Sequence, residues 1–138
     1  MAALTPEQTE FLKAHRLAVL GTGKKDGSPQ LSTIMYLVED DGRIVLGVSN
    51  DRAKWFNAKR QPKVALLVLD GRTQLIVYGT AECIGGEPER AAITRRIRKV
   101  VGTNVPADDL SDEDYGKQLD EQKRVIIRIT PTSAFSNE

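Results

Sequence analysis

Three Asp-Gly pairs divide this chain, and each pair separates two apolar segments. The pairs are Asp26-Gly27, Asp41-Gly42 and Asp70-Gly71. Glycine supplies the positive φ angle that a tight hairpin turn needs, so Asp-Gly between apolar runs predicts two antiparallel strands. Three such turns within 138 residues predict a mainly β chain whose neighbouring strands are mostly antiparallel.

The apolar segments around these turns predict six strands. Gly79 lies inside the longest of them, which indicates a bulge or a close approach by another backbone or a ligand. We expect alternate residues of the strands, such as Val64, Leu66, Val68 and Ile126, to be buried. The predicted strands are Leu17–Thr22, Gln30–Val38, Ile44–Val48, Val64–Leu69, Gln74–Ile84 and Arg124–Thr130.

Helical segments flank the strands. Thr5-Pro6-Glu7-Gln8 has the form of a capping box and opens a helix that runs to about Ala14 or His15. Pro88–Val101 is a second helix, and Ser111 caps a third. Strands with these helices predict a six-stranded antiparallel β-barrel with capping helices, in one domain over residues 1–138. Basic residues expected on the outer face of the second helix are Arg90, Arg95, Arg96, Arg98 and Lys99.

Composition argues against several classes of protein. A formal net charge of +1 and scattered aromatic residues are unlike a nucleic-acid binder, which carries a basic excess and stacking aromatics. Cys83 is the only cysteine, which excludes an internal disulfide and fits a reducing compartment. No apolar run approaches the roughly 18 residues of a membrane span, and the N-terminus does not read as a signal peptide. We therefore expect a cytoplasmic protein.

A polar elbow after the third strand is the clearest candidate site. Ser49-Asn50-Asp51 precedes a short helix that carries Arg52 and Lys54 at its start. Asn50 or Asp51 is a natural N-cap. The free N–H groups and the positive dipole end of a helix attract an anion, and the two cations add charge. Taken alone, the pattern is more typical of a solvated helix start that happens to carry Arg and Lys, and a phosphate site is the alternative.

Four pieces of the chain carry a resemblance to a known family. They are LAVLGTGKKDGSPQLSTIMY, VSNDRAKWFNAKRQPKVALLV, the strand around YGTAE, and KRVIIRI, in that order from Leu17 to Ile129. Together they resemble the pyridoxamine 5′-phosphate oxidase-like superfamily of flavin-binding split β-barrels. The chain most resembles the actinobacterial branch of small oxidoreductases that use coenzyme F420.

The resemblance implies a split β-barrel of the FMN-binding type, with a cofactor site at matching positions. Four residues fall on the strand that lies along the isoalloxazine or deazaflavin ring: Gln30, Leu31, Ser32 and Thr33. Four more fall beside the ribityl chain and the phosphate: Val48, Ser49, Arg52 and Lys54. Of these, Arg52 and Lys54 match the pair of cations that binds the phosphate in the family.

The resemblance also implies a homodimer with the cofactor at the subunit interface. Gln74 and Tyr78 fall on the strand that approaches the cofactor held mainly by the other subunit. The alternative is that Tyr78 packs in the barrel and Gln74 is solvated after the turn.

Coenzyme F420 is the cofactor that the resemblance implies, with FMN as the alternative. F420 has an anionic lactyl-oligoglutamate tail, which favours extra cations around the phosphate groove. The candidates for these cations are Lys24, Lys25, Lys59 and Arg60.

The implied function is hydride transfer between the deazaflavin and a small organic acceptor. The alternatives are an FMN-binding oxidoreductase of the same family and a non-catalytic flavin-binding or carrier protein. No Ser-His-Asp set, HExxH or CxxC is present, which fits a cofactor that carries the chemistry itself. Tyr36 or Tyr78 could donate a proton, but water could serve as well, so no catalytic residue is assigned.

Two departures from relatives narrow the function. The chain ends in TPTSAFSNE, without the C-terminal Arg/His motif of pyridoxamine phosphate oxidases, which argues against vitamin B6 oxidation. His15 is the only histidine, and we expect it at a helix end rather than as a haem ligand.

The acidic run Asp112–Asp114 fits a helix start, so we predict no metal site.

Overall fold

The computed structural model describes residues 3–137. The predicted domain over residues 1–138 includes Met1, Ala2 and Glu138, which lie outside the described residues. The elements in chain order are α1 (Pro6–Lys13), β1 (Leu17–Gly23), β2 (Pro29–Met35), β3 (Leu37–Val38), β4 (Ile44–Ser49), α2 (Ala53–Arg60), β5 (Lys63–Asp70), β6 (Thr73–Ile84), α3 (Glu89–Val101), α4 (Asp112–Glu121) and β7 (Arg124–Ser136).

The strands form one antiparallel sheet whose two edges are joined by a single residue. The strand order is β2-β1-β5-β6-β7-β4-β3, so β2 and β3 lie at opposite edges. Only Tyr36 separates them in the chain. One intervening residue spans at most roughly 7 Å between the Cα atoms on either side, so the sheet has to curl until its edges meet. The curled sheet with its capping helices confirms the predicted split-barrel fold class.

The break at Tyr36 explains why the described residues contain seven strands rather than the predicted six. The sequence predicted one strand over Gln30–Val38, and this prediction was wrong at its C-terminal end. The backbone N–H of Tyr36 donates to the carbonyl of Arg16 at 2.9 Å, and its hydroxyl donates to the carbonyl of Leu12 at 2.6 Å. Beyond this anchor the chain leaves β1 and pairs with β4.

The last strand is longer than predicted. We expected it to end at Thr130, but β7 continues through Pro131 to Ser136 beside β6. The ladder shifts register between Tyr78 and Gly79, as the predicted bulge requires. A Cβ atom on Gly79 would lie 2.6 Å from Cγ2 of Ile129 and 2.7 Å from the carbonyl oxygen of Thr130. Glycine therefore allows the close approach of β7 at this point.

The local signals at turns and helix starts are confirmed. Gly27, Gly42 and Gly71 have φ angles of 87°, 89° and 59°, as the hairpin prediction requires. The side chain of Thr5 accepts a hydrogen bond from the N–H of Gln8, and the Gln8 side chain accepts one from the N–H of Thr5. Ser111 caps α4 through the N–H of Asp114.

Arg90 lies inside the protein, although the sequence placed it on the outer face of α3. It is 4% exposed. Its guanidinium pairs with Glu87 at 2.5 Å and Asp120 at 2.8 Å, and donates to the carbonyls of Gly116 and Arg124. A buried charge needs such partners. Helical periodicity could not predict this, because α4 and β7 supply most of them. Arg90 thereby joins α3 to α4 and to the start of β7.

The core predictions are confirmed. Val64, Leu66, Val68 and Ile126 are each at most 5% exposed. The first three belong to the main cluster inside the curled sheet. Ile126 belongs to a second cluster that packs beneath α3.

The outer face of the sheet is also apolar, and it is exposed. Alternate residues of β2, β1, β5, β6 and β7 share this face, as the strand registers show. We call it the apolar sheet face. Its exposed large side chains are Leu17, Leu31, Met35, Leu69, Tyr78 and Phe135. Within residues 3–137, no helix combines the length and the apolar character needed to cross a membrane.

Truncation of the core should lower stability strongly. Leu66 is 1% exposed, so we expect Leu66→Ala to reduce the free energy of unfolding by about 2–4 kcal/mol through lost burial and a cavity. Val100→Ala, at a 41% exposed position, is the control and should change it by less than about 0.5 kcal/mol. Urea unfolding measures both. An unchanged midpoint for Leu66→Ala would place this side chain outside the core.

Candidate cofactor-binding site

A cavity of about 400 Å³ opens where β2 comes close to β4. Its walls are the end of β2, the end of β4, the start of α2, the C-terminal half of α3 with the loop after it, and the start of β7. The cavity thus lies at the seam where the sheet closes. Each wall comes from a different part of the sequence.

The elbow between β4 and α2 forms one end of the cavity. The N–H of Arg52 donates to the carbonyl of Ser49 at 3.1 Å, and α2 begins at Ala53. Arg52 is the N-cap residue, and no side chain caps the helix. The N–H of Trp55 donates to the carbonyl of Arg52 at 3.1 Å, so the N–H groups of Ala53 and Lys54 are left for solvent or a ligand.

The predicted N-cap at Asn50 or Asp51 was wrong. The backbone N–H of Asn50 donates to the carbonyl of Lys123 at 2.8 Å, and the carboxylate of Asp51 faces the Lys123 ammonium at 3.5 Å. These contacts hold the elbow against the turn before β7. Both residues are thus engaged by a distant segment, and the N-cap falls at Arg52 instead.

Three cations converge at the elbow. Arg52 and Lys54 line the cavity together with Arg124, which lies opposite Ser49 in the β4–β7 ladder. Partial burial lowers the pKa of Lys54, and the positive charges of Arg52 and Arg124 lower it further. Within the described residues, none of the three is in a salt bridge with a carboxylate. This end of the cavity is therefore suited to an anion.

The rest of the lining combines apolar and polar residues. Its apolar part comes from Val48, Ile97, Val101, Val125 and Ile126, and its polar part includes Thr94, Thr103 and Asn104. A surface of this kind suits a flat ring, while the cationic end suits a phosphate. The residues present therefore fit a phosphorylated ring cofactor.

Half of the predicted site residues line this cavity: Thr33, Val48, Ser49, Arg52 and Lys54. Of the others on β2, Gln30 accepts a hydrogen bond from the Thr22 hydroxyl at 3.1 Å. Leu31 is 67% exposed and lies on the apolar sheet face. The Ser32 hydroxyl is inaccessible and has no hydrogen-bond partner among the described residues.

The two remaining predicted residues lie away from the cavity. Gln74 lines a separate cleft between α1 and the ends of β6 and β7. Tyr78 is 44% exposed on the apolar sheet face, and its ring meets that of Phe135 edge to face at 6.0 Å. Tyr78 therefore does not pack inside the barrel. Neither residue contributes to the cavity of its own chain.

Several lining residues were not predicted. Arg124 follows the turn before β7, and only the β4–β7 pairing brings it to the elbow. Arg98, Thr103 and Asn104 reach the cavity from α3 and its loop. The sequence contains no signal that selects Arg98 from the other basic residues of α3.

The four cations proposed for the F420 tail do not line the cavity. Arg60 donates to the carbonyl of Gly23 at 2.8 Å and to the Asn57 side chain at 2.9 Å. Lys59 lies 5.2 Å from the centre of the Trp55 ring.

His15 lies at the end of α1, as expected. Its ring lies 2.7 Å from the carbonyl of Phe11 and 3.1 Å from the carboxylate of Asp70. The Phe11 carbonyl, and to a lesser extent Asp70, raise its pKa. Within the part of the chain that the structure describes, no group of three or more His, Cys, Asp or Glu side chains is placed to hold a metal ion.

A curled antiparallel sheet with capping helices and a cation-ended cavity at its seam has the architecture of a split β-barrel. The sequence profile described as pyridoxamine 5′-phosphate oxidase matches residues 4–137. The chain therefore belongs to the pyridoxamine 5′-phosphate oxidase family, whose members bind flavins such as FMN.

Solved structures share this fold across nearly the whole chain. A conserved hypothetical protein from Mycobacterium tuberculosis is 27% identical, with a TM-score of 0.72 over 98% of this chain and 85% of that one. A protein named F420 reductase is 21% identical, with a TM-score of 0.70 over 96% and 98%. A Listeria innocua protein, provisionally named a pyridoxamine 5′-phosphate oxidase, is 19% identical, with a TM-score of 0.69 over 94% and 97%.

The lowered pKa of Lys54 should appear in the pH dependence of anion binding. A bound phosphate favours the charged ammonium, so the contribution of Lys54 is complete below the pKa in the free protein and is lost above it. We expect the affinity for FMN to begin falling at a lower pH than the usual lysine pKa of 10.5.

Lys54→Arg is the matched control, because arginine stays charged throughout this range. It should remove the part of the pH dependence that Lys54 causes and keep any part that arises from the flavin ring. Fluorescence titrations at constant ionic strength measure both proteins. Identical pH profiles would show that Lys54 does not contact the phosphate.

Proposed function

We propose that the protein is an oxidoreductase that binds coenzyme F420 and transfers a hydride between the deazaflavin and a small organic acceptor. One observation carries the proposal: the cavity combines an apolar wall with a cationic end that has no carboxylate partner among the described residues. A phosphorylated ring cofactor matches both features.

Each wall has a distinct role in this proposal. Arg52, Lys54 and Arg124 hold the phosphate, aided by the free N–H groups at the start of α2. Thr33 and its strand lie along the ring, while Val48 and Ile126 exclude water from it. A bound deazaflavin would supply the hydride chemistry itself. The protein contributes orientation and electrostatics, so we assign no catalytic side chain.

F420 is proposed over FMN because of the sequence resemblance and because the cavity is rich in positive charge. Among residues 3–137, four basic side chains line it, and no Asp or Glu does. The similarity to a protein named F420 reductase is compatible with this choice and indicates only the common fold. FMN is the alternative cofactor, since the family binds flavins of this kind.

Side-by-side titration of the purified protein with F420 and FMN tests the cofactor, with tighter binding of F420 expected. Turnover is tested with reduced cofactor and a panel of quinones and activated enones. A non-catalytic carrier would bind the cofactor without consuming it. Tighter binding of FMN would replace the F420 proposal with the FMN alternative.

We also propose that the protein is a homodimer that joins through the apolar sheet face. This face is continuous over five strands, and its border residues Thr33 and Met35 also line the cavity. A second copy on the face would therefore add a wall beside the opening. In such a dimer Gln74 and Tyr78, on the same face, would approach the partner's cofactor. Large exposed apolar patches of this type are typical of protein interfaces.

Removal of either elbow cation should weaken cofactor binding. A charge-assisted hydrogen bond contributes about 1.5–3 kcal/mol, so Arg52→Ala and Lys54→Ala should each lower the affinity roughly ten- to a hundredfold. The melting temperature of the free protein should stay the same or rise, because both cations lie near the positive end of α2.

Lys25→Ala is the control, since Lys25 is exposed and does not line the cavity. It should bind cofactor like the unmodified protein. Fluorescence titration at fixed salt measures all three variants. Near-native affinity in both elbow variants would remove the phosphate site from this account.

A charge on the apolar sheet face should separate the subunits. Leu31 is 67% exposed on this face, so Leu31→Glu should place two unpaired carboxylates in the interface and shift the protein to a monomer. Cofactor affinity should fall with it. Val100→Glu, at an exposed position on α3, is the control and should remain dimeric by light scattering. A monomer that still binds cofactor tightly would contradict the shared site.

A further inference from the structure

His15 lies just after α1, and each of its two ring nitrogens faces an oxygen atom. Nδ1 lies 2.7 Å from the carbonyl oxygen of Phe11, and Nε2 lies 3.1 Å from a carboxylate oxygen of Asp70. Phe11 belongs to α1, whereas Asp70 ends β5 at the turn into β6. The ring therefore joins two parts of the fold that are 55 residues apart in the sequence.

Only the charged form of the His15 ring satisfies both contacts. A carbonyl oxygen and an ionised carboxylate accept hydrogen bonds and cannot donate them. A neutral imidazole has one N–H group, so its other nitrogen would direct a lone pair at an oxygen. The imidazolium has two N–H groups and can donate to both oxygens. Protonation of the ring therefore decides whether both hydrogen bonds form.

The surroundings of the ring favour the charged form. The carbonyl of Phe11 raises the pKa of His15 most, burial lowers it, and the carboxylate of Asp70 raises it further, so it lies above the usual 6.5. The Phe11 ring packs against the imidazole with 4.4 Å between the ring centres. Other charged side chains close in sequence, none of which forms a salt bridge within residues 3–137, are Glu10, Lys13, Arg16 and Arg72.

The segment that carries His15 also holds Tyr36, the residue at which the sheet closes. The hydroxyl of Tyr36 donates to the carbonyl of Leu12, and its N–H donates to the carbonyl of Arg16. His15 lies between these two acceptors in the chain. The phenol itself stays protonated near neutral pH, because burial raises its pKa. A contact that holds residues 12–16 in place therefore also stabilises the anchor of the seam.

We propose that His15 is a pH-dependent clasp between α1 and the β5–β6 turn, closed when the ring is protonated and open when it is neutral. Because the pKa of His15 is raised in the folded protein, the stabilisation is complete below the usual value of 6.5. It is lost as the pH rises through the folded value. The clasp acts in the free protein and does not depend on the proposed cofactor.

An NMR titration measures the clasp directly, because His15 is the only histidine in the sequence. We expect a pKa above 6.5 in the unmodified protein. Asp70→Asn should lower it, because an amide of the same shape can donate to Nε2 of the neutral ring. Asp26→Asn is the matched control. Asp26 also precedes a glycine in a hairpin turn but contacts Ser28, so the pKa of His15 should not change.

Amide hydrogen exchange measures whether the ring holds the segment. The protection factor of the Tyr36 N–H, corrected for the intrinsic effect of pH, should fall roughly two- to fivefold as the pH rises through the pKa of His15. His15→Gln cannot titrate in this range and should show no such step. The N–H of Lys24, which donates to the carbonyl of Ser28 in the β1–β2 turn, is the internal control and should show none in either protein.

The two measurements support the clasp only together. A pKa at or below 6.5, or the same pKa in Asp70→Asn as in the unmodified protein, would overturn it, because the carboxylate would then not hold a charged ring. A raised pKa without a step in the protection of Tyr36 would also overturn it. A step of equal size in His15→Gln would assign the effect to another group, with the same consequence.

Discussion

The closure of the sheet through Tyr36 is the constraint on which the other features depend. A single residue joins the two edge strands, so the sheet has to curl. The Tyr36 hydroxyl donates to the carbonyl of Leu12 in α1, and burial raises the pKa of the phenol well above its usual value. A protonated phenol is required for that hydrogen bond, and burial keeps it protonated. Because the seam brings β2 next to β4, it also creates the cavity.

The cavity is therefore a product of tertiary structure, and only part of its positive charge comes from local sequence. Arg52 and Lys54 are adjacent to the elbow in the chain, whereas Arg124 arrives only through the β4–β7 ladder. Buried Arg90 stabilises this arrangement, because its guanidinium donates hydrogen bonds to the carbonyl of Arg124 and to the carboxylate of Asp120. Positioning of the cationic end thus depends on contacts among α3, α4 and β7, which are distant in sequence.

The sequence predicted those parts of the molecule that depend on neighbouring residues. The Asp-Gly turns, the Thr5 capping box and the bulge at Gly79 each follow from the conformational needs of a few adjacent residues. The prediction failed where a distant segment decided the outcome. Asn50 is engaged by Lys123 instead of capping α2, and Tyr36 ends β2 because Arg16 and Leu12 bind it. Arg98 and Arg124 were missed for the same reason, since only the folded chain brings them to the cavity.

The uncapped start of α2 sets a conflict between stability and binding. A Ser or Asp at the N-cap position would satisfy a free N–H group and stabilise an isolated helix. At position 52 the same change would remove a cation and occupy the donors that an anion needs. Sequence redesign guided only by thermal stability would therefore favour substitutions here that weaken the proposed phosphate site. For the proposed function, the less stable helix start is the feature that a stabilised variant has to retain.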